Sequence, residues 1–374
     1  MAKFLHCADL HLDTKFQYLD VEKNAIRREE LRELFSRIVS IAISELVDVV
    51  FIAGDLFEGM NASANSLELI HDEIERAKPI RFFIAPGNHD PYTPNSQFAL
   101  LNLPDNAYIF KSTQIEKIVV EELNLVVYGA AFVAITCSAN LLADFHADAD
   151  EGAGAGESGY ASVAVIHGDM AQNSVYNYIS KKDIENSGLD YLALGHIHST
   201  SIEKIGKTTY AYPGAPEGRG FDECGDKGIL IGEISKGKVS TEFRQTAYRR
   251  YFVEVVDVSD CQSHEEIVAK IGKLTFLGAE LNFYKLVLKG EVDFEIDVQQ
   301  LQLLIANDFY FVKVIDETTA SVDVAGLSEG TLKSIFITKM DEQLQKATDD
   351  KEKKILSFAK YYGTAVLERR DIKI

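Results

Sequence analysis

The sequence predicts an α/β fold, and three observations carry that reading. Short apolar runs alternate with helical stretches through the first half of the chain. Several of those runs end directly in a polar block holding aspartate, asparagine or histidine. Beyond about residue 246 a second, shorter alternation of the same kind begins.

Taken in order, Phe4 to Ala8 reads as a strand. Asn24 to Leu46 reads as a long amphipathic helix, with Ile26, Leu31, Leu34, Phe35, Ile38 and Ile41 at helical spacing. Val47 to Ala53 is a buried strand, Ser66 to Ala77 a helix, and Ile80 to Ala85 another buried strand. Such a β–α–β–α–β order needs crossover connections and so a largely parallel arrangement. Further strands are expected at Ile118–Val120, Leu123–Tyr128, Ala161–Ile166, Tyr191–Leu194, Thr208–Ala211 and Gly228–Ile234. The glycine-rich, acidic run from Asp148 to Gly159 reads as a flexible surface loop.

A boundary is expected between Thr246 and Tyr251. Past it come a strand (Tyr251–Val258), a helix (Glu265–Leu274), a strand (Phe283–Leu288), a helix (Val298–Ala306) and a strand (Phe309–Val314). Gly330 to Arg370 reads as two helices separated by the charged run Asp349 to Lys354. The expected domains are therefore 1–245, 246–325 and a helical tail, 326–374. That tail either packs on its own domain or offers a docking face, and the pattern favours packing.

A chain of 374 residues exceeds what one core usually holds. No apolar run reaches the roughly 18 residues a membrane span needs, so no membrane association is expected. Met1 to Leu5 runs straight into polar residues without a leader-like region, which predicts a cytoplasmic protein. Cys7, Cys137, Cys224 and Cys261 stand singly, so reduced structural thiols are expected. The formal net charge of −20 argues against non-specific nucleic-acid binding by bulk electrostatics. It leaves room for a local basic groove, or for a site where bound cations supply positive charge.

Five blocks carry the chemistry: Asp9-Leu10-His11, Gly54-Asp55-Leu56-Phe57, Gly87-Asn88-His89-Asp90, Ile166-His167-Gly168-Asp169 and Gly195-His196-Ile197-His198. Each follows an apolar β-type run, and strand ends on one sheet edge project their loops to the same side. Five of the nine histidines fall in these blocks. One histidine after a strand is usually structural; five, accompanied by Asp9, Asp55 and Asn88, point to metal. Imidazole, carboxylate and amide oxygen without thiolate suit manganese, iron or zinc in a catalytic role. Asp9, His11, Asp55, Asn88, His167, His196 and His198 are too many ligands for one ion. Two divalent ions about 3.5–4 Å apart would use them all. Two carboxylates do not neutralise two such ions, so the site would attract phosphate. It would also acidify a bridging water, giving a hydroxide for in-line attack on phosphorus.

At these five blocks the sequence resembles the calcineurin-like metallophosphoesterase superfamily, over roughly residues 1–235. Asp9-Leu10-His11-Leu12, Gly54-Asp55-Leu56-Phe57 and the stretch from Tyr212-Pro213-Gly214 to Gly225-Asp226-Lys227-Gly228 look like its DNA-repair exonuclease branch, that of the SbcD- and YhaO-like nuclease subunits. The resemblance implies a four-layer α/β/β/α sandwich with the metals at one edge of the paired sheets, a small capping domain and a helical tail. It implies that Asp9, His11 and His198 bind one metal, that Asn88, His167 and His196 bind the other, and that Asp55 bridges them. His89 is then not a ligand but assists the leaving group, as general acid or transition-state stabiliser. Asp90 would orient His89 through a hydrogen bond, or serve the fold. Many superfamily members carry a second aspartate three residues after the bridging one, where this chain has Glu58.

The expected function is hydrolysis of phosphodiester bonds in DNA, as an exonuclease subunit in repair or end processing. A coiled-coil ATPase of SbcC type and a second copy of the chain are the partners the resemblance implies. The alternative is a phosphodiesterase or phosphatase for a small nucleotide-type substrate, which the acidic charge favours. Among other residues, His6 is expected to pack or to support the ligands, and His71, His146 and His264 to lie at the surface. Arg219 is either a phosphate-reaching cation or a turn arginine. Tyr92 either stacks on a base or covers the site.

Overall fold

The computed structural model describes residues 1–147, 159–274, 276–292, 294–320 and 331–368. The chain divides into two compact units, Met1–Tyr251 and Phe252–Ile374. The first holds β1 (Ala2–Cys7), α1 (Val21–Ser44), β2 (Val49–Ile52), α2 (Ala64–Arg76), β3 (Arg81–Ile84), α3 (Gln97–Leu100), β4 (Ala107–Ile109), β5 (Glu116–Val120), β6 (Leu125–Gly129), β7 (Ala161–His167), α4 (Lys181–Asn186), β8 (Tyr191–Gly195), β9 (Ser201–Ile205), β10 (Thr208–Tyr212), β11 (Gly228–Ser235) and β12 (Lys238–Gln245). They form two six-stranded sheets, ordered β12-β11-β1-β2-β3-β4 and β5-β6-β7-β8-β10-β9.

Each sheet is parallel at its centre; the first is antiparallel at its β11–β12 margin and the second at both margins. β1, β2, β3 and β4 run parallel, while β11 joins β1 antiparallel. β6, β7, β8 and β10 run parallel between antiparallel β5 and β9. Strands buried on both faces need unbroken apolar sequence, and VVFI of β2 supplies it.

Alternation along these strands sorts their side chains into layers. Leu5, Val50, Ile52, Phe82 and Ile84 pack on Leu31, Leu34, Phe35 and Ile38 of α1 and Ile70 and Ile74 of α2. Phe4, Val49, Phe51 and Phe83 face the other way, onto Val127, Val163, Val165, Tyr191 and Ala193 of the second sheet. The outer face of that sheet, with Val126, Ile166, Leu192 and Leu194, is covered by Ile184 of α4 and by Phe132, Leu141 and Leu142. These layers make the α/β/β/α sandwich.

The sequence-predicted strands and helices all appear, with shifted ends. α1 starts at Val21 rather than Asn24 because the Asp20 side chain accepts from Lys23 N at 2.8 Å and caps the first turn. The sequence does not predict β4, β9, β12, α3 and α4. They are short or carry a strongly exposed face, so their apolar pattern is weak. Of the expected loop at Asp148–Gly159, residues 148–158 lie outside the described residues.

Past β12 the chain stays tied to the first unit. Thr246 N donates to Lys227 O at 3.0 Å, and Tyr248 N to Glu217 Oε2 at 2.6 Å. The second unit continues β13 (Tyr251–Asp257) into α5 (His264–Ile271), β14 (Phe283–Lys289), β15 (Glu291–Val292), α6 (Val298–Ile305), β16 (Phe311–Asp316), β17 (Thr319–Ala320), α7 (Leu332–Lys346) and α8 (Asp350–Glu368). Its sheet has the order β13-β14-β16 and packs Tyr284, Leu286, Val312 and Val314 against Ile267, Ile271, Leu301 and Ile305. The charged run at 349–354 does not separate the last two helices as expected. α8 begins at Asp350, so most of that run is helical, and the break falls after Lys346. Among the described residues, no helix is long and apolar enough to cross a membrane.

A buried ion pair fastens α1 to the segment that follows β10. Arg27, fully buried, donates to Glu217 Oε1 at 2.8 Å, to Gly218 O at 3.1 Å and to Glu30 Oε2 at 2.6 Å. Removing one partner of such a pair leaves an uncompensated charge. Glu217→Ala is expected to lower unfolding free energy by about 3 kcal/mol, the low end of the range because Glu30 remains. Urea denaturation checks this; a loss under about 1 kcal/mol would mean that the pair is not needed.

Candidate metal centre

The five polar blocks sit at the C-terminal ends of β1, β2, β3, β7 and β8, which converge on one edge of the two sheets. Beyond the last paired residues the first two blocks continue to hold each other. Asp9 N donates to Gly54 O at 3.0 Å, and His11 N to Asp55 O at 2.9 Å. In doing so the backbone turns left-handed at Asp9 (φ 54°), His11 (φ 47°), Asp55 (φ 51°) and His196 (φ 105°). Each such residue costs about 1–3 kcal/mol and persists only where its surroundings impose it. Gly54, at φ 91°, is required for a second reason: a Cβ there would meet Nδ1 of His167 at 2.2 Å.

The side chains then converge. Single ligand atoms of Asp9, His11 and His198 lie within 4.8 Å of one another, as do those of Asp9, Asp55 and His167. Asn88 Oδ1 is 2.9 Å from Nε2 of His167 and 3.1 Å from Nδ1 of His196. Asp55 stands between the groups: its Oδ2 is 3.7 Å from Nε2 of His11 and 3.5 Å from Nε2 of His167. Its other oxygen accepts from His89 N at 2.9 Å. All seven residues singled out in the sequence therefore meet at one place.

The hydrogen-bond roles show what could fill it. His167 Nδ1 faces Ala53 O at 2.9 Å, an acceptor only, so Nδ1 carries the proton. Its Nε2 lone pair then points at Asn88 Oδ1, acceptor against acceptor. Glu58 Oε2 lies 2.8 Å from His11 Nδ1, but neither ring nitrogen of His11 makes a directed hydrogen bond. His198 Nδ1 lies 2.8 Å from Glu223 Oε1 and 3.2 Å from Arg219 Nη2. Cations are the groups that satisfy lone pairs facing one another, and partners on the remote nitrogens are how metal-binding histidines are held. The residues fit a divalent metal pair.

Electrostatics agree. Asp9 and Asp55 are both buried, with two anionic carboxylates close together. Burial pushes the Asp9 carboxyl up to about 6, against the pull of His167 and His198. At Asp55 burial is outweighed by His167, His11 and His89, and its carboxyl is held below the usual range. Burial, with Arg219, pushes the His11 imidazole down to about 4, and burial, with His167, does the same to His196. Neutral imidazoles are the metal-binding form.

His89 differs from the seven candidate ligands in being 40% exposed in its side chain. Its Nδ1 is 3.2 Å from Glu58 Oε1, which raises its pKa and leaves Nε2 for an incoming group. Asp90 does not orient it. The Asp90 oxygens accept from Gly87 N at 2.7 Å and Phe57 N at 3.1 Å, so this fully buried carboxyl ties the β3 block to the β2 block. The sequence reading of Asp90 as the partner of His89 gives way to Glu58, whose longer side chain reaches across. Burial and the adjacent Asp55 push the Asp90 carboxyl up to about 7.

Other candidates fall into place. Arg219 lies between Glu58 and Glu223, with Nη1 and Nη2 2.9 Å from each. Tyr92 packs on the core, its amide donating to Phe132 O at 2.7 Å. His6 is buried, 2.9 Å from the Tyr191 hydroxyl. His71 and His264 are half-buried and His146 is exposed, each bonded to backbone. Sequence reasoning missed Glu223 and Lys227, which donates to His198 O at 2.7 Å. Both lie inside the 212–228 stretch that carries the family resemblance.

Comparison with known proteins agrees with this geometry. The family model described as Calcineurin-like phosphoesterase matches residues 2–200, more than half of the chain. The chain belongs to that family. It is 27% identical over 271 residues to "Uncharacterized metallophosphoesterase YhaO" of Bacillus subtilis, covering 70% of this chain and 64% of that one. It is 28% identical over 249 residues to "DNA double-strand break repair protein Mre11" of Saccharolobus solfataricus, covering 63% and 61%. A segment of 94 residues is 32% identical to an SbcCD nuclease subunit of Rhodobacter capsulatus, covering 24% and 22%. These alignments span less than two thirds of each relative's length.

A metal pair seated here stabilises the native state by about 2.7 kcal/mol per site at a hundredfold excess over Kd. Manganese is expected to raise the melting temperature, EDTA to reverse the rise, and Asp55→Asn to remove most of it. An unchanged melting temperature across a manganese titration would refute metal binding at this centre.

Proposed function

We propose that this chain is a two-metal phosphodiesterase acting on DNA, with manganese as its working ion. The observation that carries the two-metal reading is Asp55 Oδ2, flanked by the Nε2 lone pairs of His11 and His167. In this reading Asp9, His11 and His198 hold one ion, Asn88, His167 and His196 hold the other, and Asp55 bridges them. Such a pair supplies Lewis acidity that polarises a phosphoryl oxygen and acidifies a water. The chain's own part is to bind, orient and move a proton. Neutral histidines and two buried carboxylates leave the loaded site positive, so a phosphodiester is drawn in despite the net charge of −20. His89, outside the ligand set, presents Nε2 to the leaving oxygen and donates a proton to it or stabilises its charge.

The step to DNA rests on the relatives, one named a DNA double-strand break repair protein and another a nuclease subunit. A subunit role also suits the second unit. α7 and α8 expose Leu332, Ile335, Ile355, Phe358, Tyr361 and Val366, more apolar surface than a free helical hairpin favours. We assign residues 326–374 to docking a coiled-coil ATPase, residues 246–325 to a small α/β capping domain, and residues 1–245 to catalysis. The reading that competes is a small nucleotide substrate, favoured by the acidic charge, since it needs no long basic groove.

The deciding assay incubates the purified chain and manganese with end-labelled single- and double-stranded DNA, beside a panel of nucleotides. Cleavage of DNA is expected. Turnover of nucleotides alone would install the competing reading. His89→Asn is expected to lower turnover by about 10²–10⁴-fold with metal content unchanged. Full activity in that variant would remove His89 from the chemistry.

A further inference from the structure

Lys111 follows β4, which runs parallel to β3, so it lies on the strand edge that carries the blocks of the metal centre. Its Nζ stands over the Tyr92 ring, 6.0 Å from the centroid. Cations on neighbouring elements are matched: Arg76, Lys78 and Arg81 pair with Glu73, Glu75 and Glu122. Among the described residues, the Lys111 ammonium has no such partner. Glu116 accepts from Lys111 N at 2.7 Å through Oε1, but turns its other oxygen to the Tyr108 hydroxyl at 2.6 Å. In a chain of net charge −20, an exposed and unmatched cation thus stands beside the His89 block.

Next to it runs an uncharged, apolar shelf. Residues 130–143 and 170–180 contain no Asp, Glu, Lys or Arg. Ala131 N donates to Ser112 O at 2.8 Å and Tyr92 N to Phe132 O at 2.7 Å, which brings Val133 alongside the Lys111–Tyr92 pair. Cys137 N donates to Val175 O at 2.8 Å and joins the two segments. Val133, Ile135 and Val175 are 43%, 64% and 45% exposed. The shelf is continuous with the metal centre. Phe132 meets the His167 ring edge to face with centroids 5.5 Å apart, and Asn177 Nδ2 donates to His167 O at 2.8 Å. The opposite flank, behind His11 and His198, is charged instead, with Glu58, Arg219 and Glu223.

We propose that Lys111 and this shelf form a nucleotide subsite that takes the unpaired nucleotide next to the scissile phosphate, with Lys111 on its phosphate and Val133, Ile135 and Val175 on the face of its base. The subsite rests on the DNA phosphodiesterase reading and narrows it to single-stranded or frayed DNA. An unmatched ammonium recognises a phosphate, while an apolar surface without charge suits the flat face of a base and offers nothing to a sugar–phosphate backbone. In a duplex that face is stacked on its neighbours, so a paired nucleotide brings a phosphate for Lys111 but no base for the shelf. A small ester with one phosphate fills the metal centre and leaves Lys111 empty. The subsite therefore separates substrates that the metals alone would treat alike.

The test assays the full chain with manganese on four substrates: a single-stranded oligonucleotide, the same strand built from abasic sites, the blunt duplex, and methyl p-nitrophenyl phosphate. The abasic strand keeps the phosphates and lacks the bases; the methyl ester has one phosphate and no base. In kcat/KM the unaltered chain is expected to favour the base-bearing strand over the abasic one by about tenfold. Val133→Ser/Ile135→Ser should abolish that preference. Lys111→Gln is expected to lose about tenfold more on either strand than on the methyl ester. In the slow His89→Asn background, fluorescence anisotropy reads oligonucleotide binding directly. There Lys111→Gln should lower the salt slope of the affinity by about 0.7, the share of one phosphate contact on a single strand.

Equal losses on the strands and on the methyl ester would mean that these residues act through the fold, and would overturn the subsite. So would equal cleavage of abasic and base-bearing strands by the unaltered chain, or a preference for blunt duplex. Self-association in sedimentation that Val133→Ser/Ile135→Ser removes would give the shelf to a second copy of the chain and overturn it too. If the methyl ester is cleaved and DNA is not, the subsite falls while the phosphodiesterase reading stands. If nothing is cleaved, that reading falls. Anisotropy then decides the subsite by itself: it stands if both variants weaken oligonucleotide binding and falls if they do not.

Discussion

Two carboxylates, Asp9 and Asp55, are buried side by side where the strands of both sheets end, and most of the local structure follows from that placement. Buried like charges are tolerated only when opposite charge is supplied. The imidazoles supply only part of it, because burial drives His11 and His196 towards the neutral form. Cations would supply the rest. Left-handed backbone at both aspartates and at His11 and His196 is the conformational cost of aiming these side chains inward, and the cross-block bonds from Asp9 N and His11 N hold it in place.

The contacts behind the ligands have their own logic. His167 uses one ring nitrogen on the Ala53 carbonyl, which fixes its tautomer and leaves the other nitrogen facing the centre, while carboxylates stand behind His11 and His198. The carboxylates Glu58 and Glu223 are largely withdrawn from water and need a counter-charge, and Arg219 provides it for both. Arg219 is in turn carried on a segment whose base is locked to α1 by buried Arg27 and Glu217. Rigidity thus passes from the helical layer, through a turn, to the histidines. A strongly acidic chain can hold a centre that bound cations would make electropositive, because the field at a site is set by its nearest charges.

Much of this was legible in the sequence. Apolar runs such as VVFI, each ending in a polar block, located the strand ends, and the types of residue in those blocks named the candidate ligands. These are local signals: a strand declares itself within a few residues, and metal donors are chemically distinctive. The resemblance to metallophosphoesterases added the sandwich and the split of the ligands into two groups. The edge strands β9 and β12 escaped, since a strand exposed on one face carries little apolar pattern.

The sequence by itself determined that seven donors lie at strand ends and that the chain is built on an α/β plan. Only the tertiary structure decided which side chain backs which histidine. Asp90, next to His89 in sequence, turned inward to bond the amides of Gly87 and Phe57, while Glu58, which follows another strand, took its place. Neighbours along a chain diverge wherever the backbone turns sharply, so proximity in sequence says little about contact there. Partners such as Glu58, Arg219 and Glu223 meet only because two sheets and a distant turn are packed together, and ordinary glutamates and arginines carry no mark of that in sequence.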